Sequence, residues 1–503
     1  AQAGGICISG SAYEQIENKL PLRYEYLGEH EVKNIAKPVR VYRAQIEPEA
    51  VPSKLGVEKK PVGKRLSKAA LAIIAVVVIA GAGILYQFVL RPSASKTEVA
   101  SKEKMAFPLP DRPSIAVLPF ANMSDDPKQE YFSDGMTEEV ITALSKVPKL
   151  FVIARNSTFT YKGKPVKVNQ VAEELGVRYV LEGGVRKAGD KIRITAQLID
   201  ALTGHHIWAD RYDRNLNDIF TVQDEITKKI ITAMQVKLTE GEQVRAAAKG
   251  TNNLEAYLKC LQANEHIHRQ NIESNTLGKQ LAEEAIALDP KYAWAYAVLG
   301  RAHMMDVFLR STKSPKDSIA KAIELVQRAL VLDDTLAEAY SLLGFLFSNT
   351  RQYDKALAKA EHAVALNPNS AYAHYMLGKI LVFDGRWEES IPEYKKAIRL
   401  NPMPPNTYLW SLGLSYAWTG QYEEAITWCK KAVLQEPNSL MAHEMMAVVY
   451  SLSGREEEAR AEVTEILRLN PKFSLEKVAK SCGYKKETDC ERLIGALQKA
   501  GLK

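Results

Sequence analysis

Hydrophobic and polar positions change rhythm several times along the chain, and the longest stretch of constant rhythm is the last. From residue 253, Gly344 returns as Gly378, Gly413 and Ala447 at steps of 34, 35 and 34, Ala329 returns as Ala363, Ala397 and Ala432, and Pro368 as Pro402, Pro437 and Pro471. A helix pair with this period is the tetratricopeptide pattern. Small residues suit the close crossing of two helices, and Pro ends the second helix because it cannot extend the hydrogen-bond ladder. Ala285 and Pro290 open the series, an insertion around 311–318 stretches the next step to 44, and Asp334 stands where Pro would be. The pattern predicts an all-α solenoid of five to six repeats over 253–475, closed by a polar-faced capping helix over 476–503.

Upstream the rhythm alternates. An apolar strand at 114–120, a helix at 133–144, a strand at 150–154 and a helix at 169–175 precede three strands at 178–186, 191–199 and 205–212, whose short polar turns predict an antiparallel meander. A helix over 219–238 completes the order βαβαβββα, which predicts a two-layer α/β domain over 108–245. Residues 69–90 break both rhythms: 22 positions without a charge. At about 1.5 Å per residue such a helix covers the roughly 30 Å of bilayer hydrocarbon, so a transmembrane helix is expected between linkers at 47–68 and 91–107. A signal peptide is the poorer reading, since folded-type patterning precedes the run. Residues 1–46 carry strands at 4–9, 23–27 and 39–43 and a helix at 11–18, too little to bury a core alone. They read as the closing part of a domain.

Composition fits folded material: 503 residues, 46% hydrophobic and 25% charged. The net charge of +7 is concentrated at Lys54, Lys59, Lys60, Lys64, Arg65 and Lys68, directly before the apolar run. A juxtamembrane basic cluster points to anionic lipid and not to nucleic acid. The four basic residues that follow the run, Arg91, Lys96, Lys102 and Lys104, are fewer and mixed with acids. The positive-inside rule then places the amino end in the cytoplasm and the rest in a periplasm or outside, as a single-pass protein of a bacterial inner membrane.

GGICISGSAYEQIENKL and YEYLGEHEVKNIAKPVRVYRA resemble the carboxyl end of a class III adenylate/guanylate cyclase catalytic domain. The resemblance implies a membrane-anchored enzyme that makes a cyclic nucleotide from ATP or GTP with Mg or Mn, as a homodimer through its cyclase domains. In that family the metal-binding aspartates, the base-reading residues and the transition-state Asn/Arg pair precede this segment, so no catalytic residue and no cofactor site is expected here. Lys33 is the one position that carries over, as a contact to the triphosphate. Asn34 replaces the family's usual Gly, and a solvated turn lysine is the other reading. IAVLPFANMSDDPKQEYFSDGMTEEVITAL and VRYVLEGGVRKAGDKIRITAQLIDALTGHHIWADRYDR resemble the TolB amino-terminal-like domain, which implies no catalysis.

The remaining candidate chemistry is sparse. His205 and His206 are adjacent on a strand and so face opposite sides, Asp125, Asp126 and Asp134 lack calcium-loop spacing, and Gly183–Gly184 does not lead from strand to helix. No metal site is expected. Trp294, Tyr296, Tyr340, Tyr372, Tyr375, Tyr408 and Trp410 fall on first helices of repeats, where packing between repeats outweighs peptide contact. Cys260 and Cys429 read as small core residues, whereas Cys482 and Cys490 flank a loop before the terminal helix, bonded or free. Two functions follow: a membrane-anchored cyclase whose external domains bind a protein or peptide partner, or a non-catalytic tetratricopeptide scaffold.

Overall fold

The computed structural model describes the backbone of residues 6–9, 23–30 and 39–45, and residues 99–236 and 250–503. The expected helix at 11–18, Lys33, the basic linker and the transmembrane segment at 69–90 lie outside the described residues. Among the described residues, no helix is long and apolar enough to cross a membrane. The chain divides into two units, residues 1–93 and 94–503.

In the first unit, β1 (Ile6–Ser9), β2 (Arg23–His30) and β3 (Val39–Gln45) form an antiparallel sheet in the order β1-β3-β2. Tyr26 pairs with Tyr42, and the register shifts between Tyr26 and Gly28, where φ of 97° requires glycine.

The second unit opens with a mixed sheet. Its strands are β4 (Ser114–Val117), β5 (Ala121–Asn122), β6 (Phe151–Val152), β7 (Tyr179–Ala188), β8 (Lys191–Asp200) and β9 (His205–Asn215). The order is β6-β4-β7-β8-β9, with β5 also on β7; β4 is parallel to β6 and β7, and β7, β8 and β9 are antiparallel. Its helices are α1 (Glu130–Ser145), α2 (Arg155–Phe159), α3 (Val168–Leu175) and α4 (Ile219–Ala233).

The helices cover both faces of this sheet, which corrects the two-layer expectation. Ile115 and Val117 pack with Phe132, Met136 and Val140 of α1 and Ile226 of α4. Ala116 and Val180, on the opposite face, join Val171, Ala172 and Leu175 of α3. The cause is legible in β4 itself: all four of its residues are buried, the continuous run of a parallel strand enclosed on both sides.

Twelve helices then stack as pairs: α5 (Leu254–His268) with α6 (Ile272–Leu288), α7 (Ala293–Phe308) with α8 (Pro315–Leu332), and α9 (Ala337–Asn349) with α10 (Tyr353–Leu366). Next come α11 (Ala371–Phe383) with α12 (Trp387–Leu400), α13 (Asn406–Trp418) with α14 (Tyr422–Gln435), and α15 (Leu440–Leu452) with α16 (Glu456–Leu469). The inserted residues lengthen α8 to 18 positions, and Ser314 caps it by accepting from the Asp317 amide. Close crossing explains the recurring glycine. A Cβ on Gly378 would stand 2.8 Å from Tyr394 Cε1, and one on Gly413 2.5 Å from Cys429 Sγ.

The capping segment is two helices and not one, α17 (Leu475–Ser481) and α18 (Glu487–Lys499). Cys490 lies in the first turn of α18 and not in the loop before it.

Candidate functional site: the two edges of the solenoid

First helices of neighbouring repeats pack on one another, α9 on α11 and α13 on α15, while neighbouring second helices make no comparable contact. The stack therefore curves with first helices inside, the arrangement that gives repeat arrays a concave surface. Two edges border it. One consists of the loops between repeats, the other of the turns within helix pairs.

The α/β domain docks on the first edge. Asn369, 2% exposed, donates through Nδ2 to the carbonyls of Ser145 (3.0 Å) and Val147 (3.2 Å) at the end of α1 and accepts from Arg112 Nη2 (3.0 Å). Asn367 Nδ2 donates to Ser145 Oγ at 2.9 Å. One repeat further on, the Ala154 amide donates to the Leu400 carbonyl (2.8 Å), and Ser157 Oγ donates to Asn401 (2.5 Å) while accepting from the Met403 amide (2.8 Å).

Arg399 completes this edge. Its guanidinium donates to the carbonyls of Gly176 (2.8 Å), Pro108 (3.0 Å) and Leu175 (3.2 Å), and lies over the rings of Phe151 and Phe107. Burial pulls it down to about 10. Gly176, with φ of 63°, ends α3 in the left-handed conformation that presents these carbonyls.

The C-terminal segment docks on the second edge. Tyr484 lies against Phe383, Trp387 and Trp418, with ring centroids 5.8, 5.3 and 6.4 Å away, and the two indoles stack at 4.7 Å. Both indoles donate to one carboxylate, that of Asp489: Trp387 Nε1 at 3.1 Å and Trp418 Nε1 at 3.0 Å. Lys485 bridges Asp384 (2.6 Å) and Asp354 (3.2 Å), while its amide donates to the Phe383 carbonyl (2.8 Å). Tyr353 Oη donates to the Gly483 carbonyl (2.8 Å) and Arg351 to that of Cys482 (3.2 Å). Cys482 and Cys490 are joined, with Cα atoms 6.0 Å apart, so that a disulfide closes the loop carrying these groups.

Between the edges, α1 of the α/β domain sets acidic side chains against the concave face, which is itself polar as well as aromatic. Glu138 accepts from Asn264 Nδ2 at 3.2 Å and pairs by charge with Arg155, whose Nε lies 3.3 Å away. Burial and the adjacent Glu138 push Glu139 up to about 7. Desolvation by the surrounding protein raises Glu338 too, although its own side chain still meets solvent. Tyr375 stacks on Tyr408 at 4.1 Å, the packing role expected of it, whereas Tyr372 stays 39% exposed and Trp410 Nε1 is buried without a hydrogen-bond partner.

Other sequence candidates come to less. His205 and His206 are exposed on β9, paired with Asp200 and Ile199, and no group of side chains suited to a metal occurs among the described residues. Cys260 and Cys429 are fully buried, and burial pushes both thiols up. Sequence reasoning missed Trp387, Trp418 and Asp489, whose only signal was a pair of cysteines around an aromatic and charged segment.

The fold and these edges define a tetratricopeptide solenoid clasping a small mixed-sheet domain. A tetratricopeptide profile matches residues 342–402 and 375–440. A profile described as HilA/YgeH-like transcriptional regulator, second domain, matches residues 111–229, within the stretch expected to be TolB-like. A protein of Rhizobium meliloti (strain 1021) named "Putative adenylate cyclase 3" is 37% identical over 357 residues, which are 71% of this chain and 53% of that protein. The chain thus spans about half the length of the curated relative it matches. Among solved structures, YrrB, described as a TPR protein with an unusual peptide-binding site, is 22% identical over 40% of this chain and 98% of its own (TM-score 0.30). MamA is 27% identical over 35% of this chain and 94% of its own (TM-score 0.27).

Proposed function

We propose that the chain is part of a membrane-anchored nucleotide cyclase and supplies its non-catalytic, interaction-bearing half. The observation that carries this reading is the 37% identity to a protein named as an adenylate cyclase, joined to the cyclase-like pattern of residues 1–46. The intact enzyme would use Mg or Mn to assist attack of the ribose 3′-hydroxyl on the α-phosphate of ATP or GTP. Its catalytic domains would work as a homodimer, with Lys33 near the triphosphate. The apolar run at 69–90 would anchor it, leaving the α/β domain, of TolB-like type on its sequence resemblance, and the repeats outside the cytoplasm. A disulfide between Cys482 and Cys490 suits that compartment.

Two assays test this. The complete coding sequence, expressed in cells lacking other cyclases, should raise cyclic AMP or cyclic GMP, while the present chain with Mn²⁺ and either triphosphate should form none. Protease added to spheroplasts should digest the region after Arg91 and spare that before Lys68. A second reading, a non-catalytic scaffold, draws on the repeats themselves and would be preferred if the complete sequence formed no cyclic nucleotide.

A further inference from the structure

The second edge of the solenoid is occupied by the chain's own loop, and its construction is that of a recognition site. Four features converge on residues 482–490: an aromatic box of Phe383, Trp387 and Trp418 around Tyr484, a carboxylate held by two indole N–H groups, a lysine between two aspartates, and backbone pairing with Phe383. Three of them engage the side chains of Tyr484, Asp489 and Lys485, and the fourth the Lys485 amide. A cap that merely covered apolar surface would need none of them.

The occupant is more exposed than what it covers. Lys485, Lys486, Glu487 and Thr488 are exposed and Tyr484 is only partly buried, whereas Trp387 and Trp418 beneath are 5% and 7% exposed. Exposing both indoles without a replacement would be costly, because each buries a large apolar area. The loop can therefore leave only in exchange for a segment that offers the same groups.

We propose that this edge is a docking site for a partner segment with an aromatic residue, a lysine next to it and a carboxylate five positions after the aromatic, and that segment 482–490, a loop and the first turn of α18, is the built-in competitor which closes it. The disulfide makes the competitor effective by fixing the loop near its bound shape, so that little conformational entropy is lost on docking. This inference is independent of the cyclase reading, since its test reads binding alone.

The probe is a fluorescent, disulfide-cyclised peptide with the sequence of residues 481–491. It is titrated into the oxidised chain and into two full-length variants, Tyr484→Ala/Asp489→Ala, which weakens the resident loop, and Cys482→Ser/Cys490→Ser, which only opens its ring. Circular dichroism melts verify that each variant folds. The first variant should bind the probe at least tenfold more tightly than the unmodified chain, with the second between them, and a probe carrying the two alanines should not bind. Equal affinity in all three proteins, or no binding by a variant that melts cooperatively, would overturn the proposal. If the first variant did not fold, the same comparison on the ring-opened variant would decide.

Discussion

The two edges of the solenoid grip their occupants by different chemistry. At the loops between repeats the contact is polar and backbone-directed: Asn367, Asn369, Asn401 and Arg399 reach carbonyls and hydroxyls of the α/β domain, and little there could be exchanged. At the turns within pairs, contacts to backbone carbonyls at Phe383, Gly483 and Cys482 are joined by aromatic and ionic ones between side chains. Backbone carbonyls have one place in the fold, whereas a ring and a carboxylate can come from another chain. The first edge is built as a permanent seam and the second as a replaceable one.

The comparison breaks most readily at Arg399. Arg399→Ala leaves three carbonyls without their donor and removes a cation from two rings, and should cost about 3 kcal/mol in urea unfolding. A loss below about 1 kcal/mol would mean that the first edge is as replaceable as the second.

Glu444 on α15 sharpens the second edge. It is 6% exposed, faces Tyr484, and burial pushes it up to about 7 from an ordinary 4.5. Below pH 4.5 the carboxyl is protonated folded or unfolded and costs nothing. Between 4.5 and 7 the unfolded chain ionises first, so stability falls, and above 7 the full penalty, on the order of 3 kcal/mol, is present. Glu444→Gln should therefore raise the melting temperature at pH 8 and leave it nearly unchanged at pH 4.

Gly378→Leu tests the scaffold that both edges share. The new side chain would meet the buried Tyr394 ring and cost roughly 1–3 kcal/mol, loosening both edges together. The smallest effect is expected from Asp489→Asn, which keeps one oxygen for one indole: about 1 kcal/mol, read as a modest change in tryptophan emission.

Much of this architecture is legible along the chain because it depends on local repetition. Gly344, Gly378 and Gly413 mark helix crossings, and the alternation from 178 to 212 gives a meander whose strands pair nearly as spaced. What stays hidden depends on distance. Nothing near Asn369 signals that its amide meets the Val147 carbonyl, 222 residues away, and Trp387 looks like any repeat aromatic until Asp489 arrives from 102 residues downstream. The periodicity also points to an open inner surface for a partner, whereas two segments of the same chain already border it. A pattern of period 34 describes each repeat's neighbours and is silent about whatever folds back across several of them.

The double docking also changes how the molecule should respond to load. An ordinary repeat array is a chain of nearest-neighbour contacts and peels from whichever end is pulled. Here the α/β domain is fastened to the loops at Asn369 and Asn401, and the C-terminal loop to the turns at Tyr353, Phe383 and Trp418, so both ends are clipped to the middle of the stack. Tension applied between residues 99 and 503 would reach the central repeats before the outer ones. The solenoid then has no free end from which to fray, and should yield in one force peak where an open array would give a staircase.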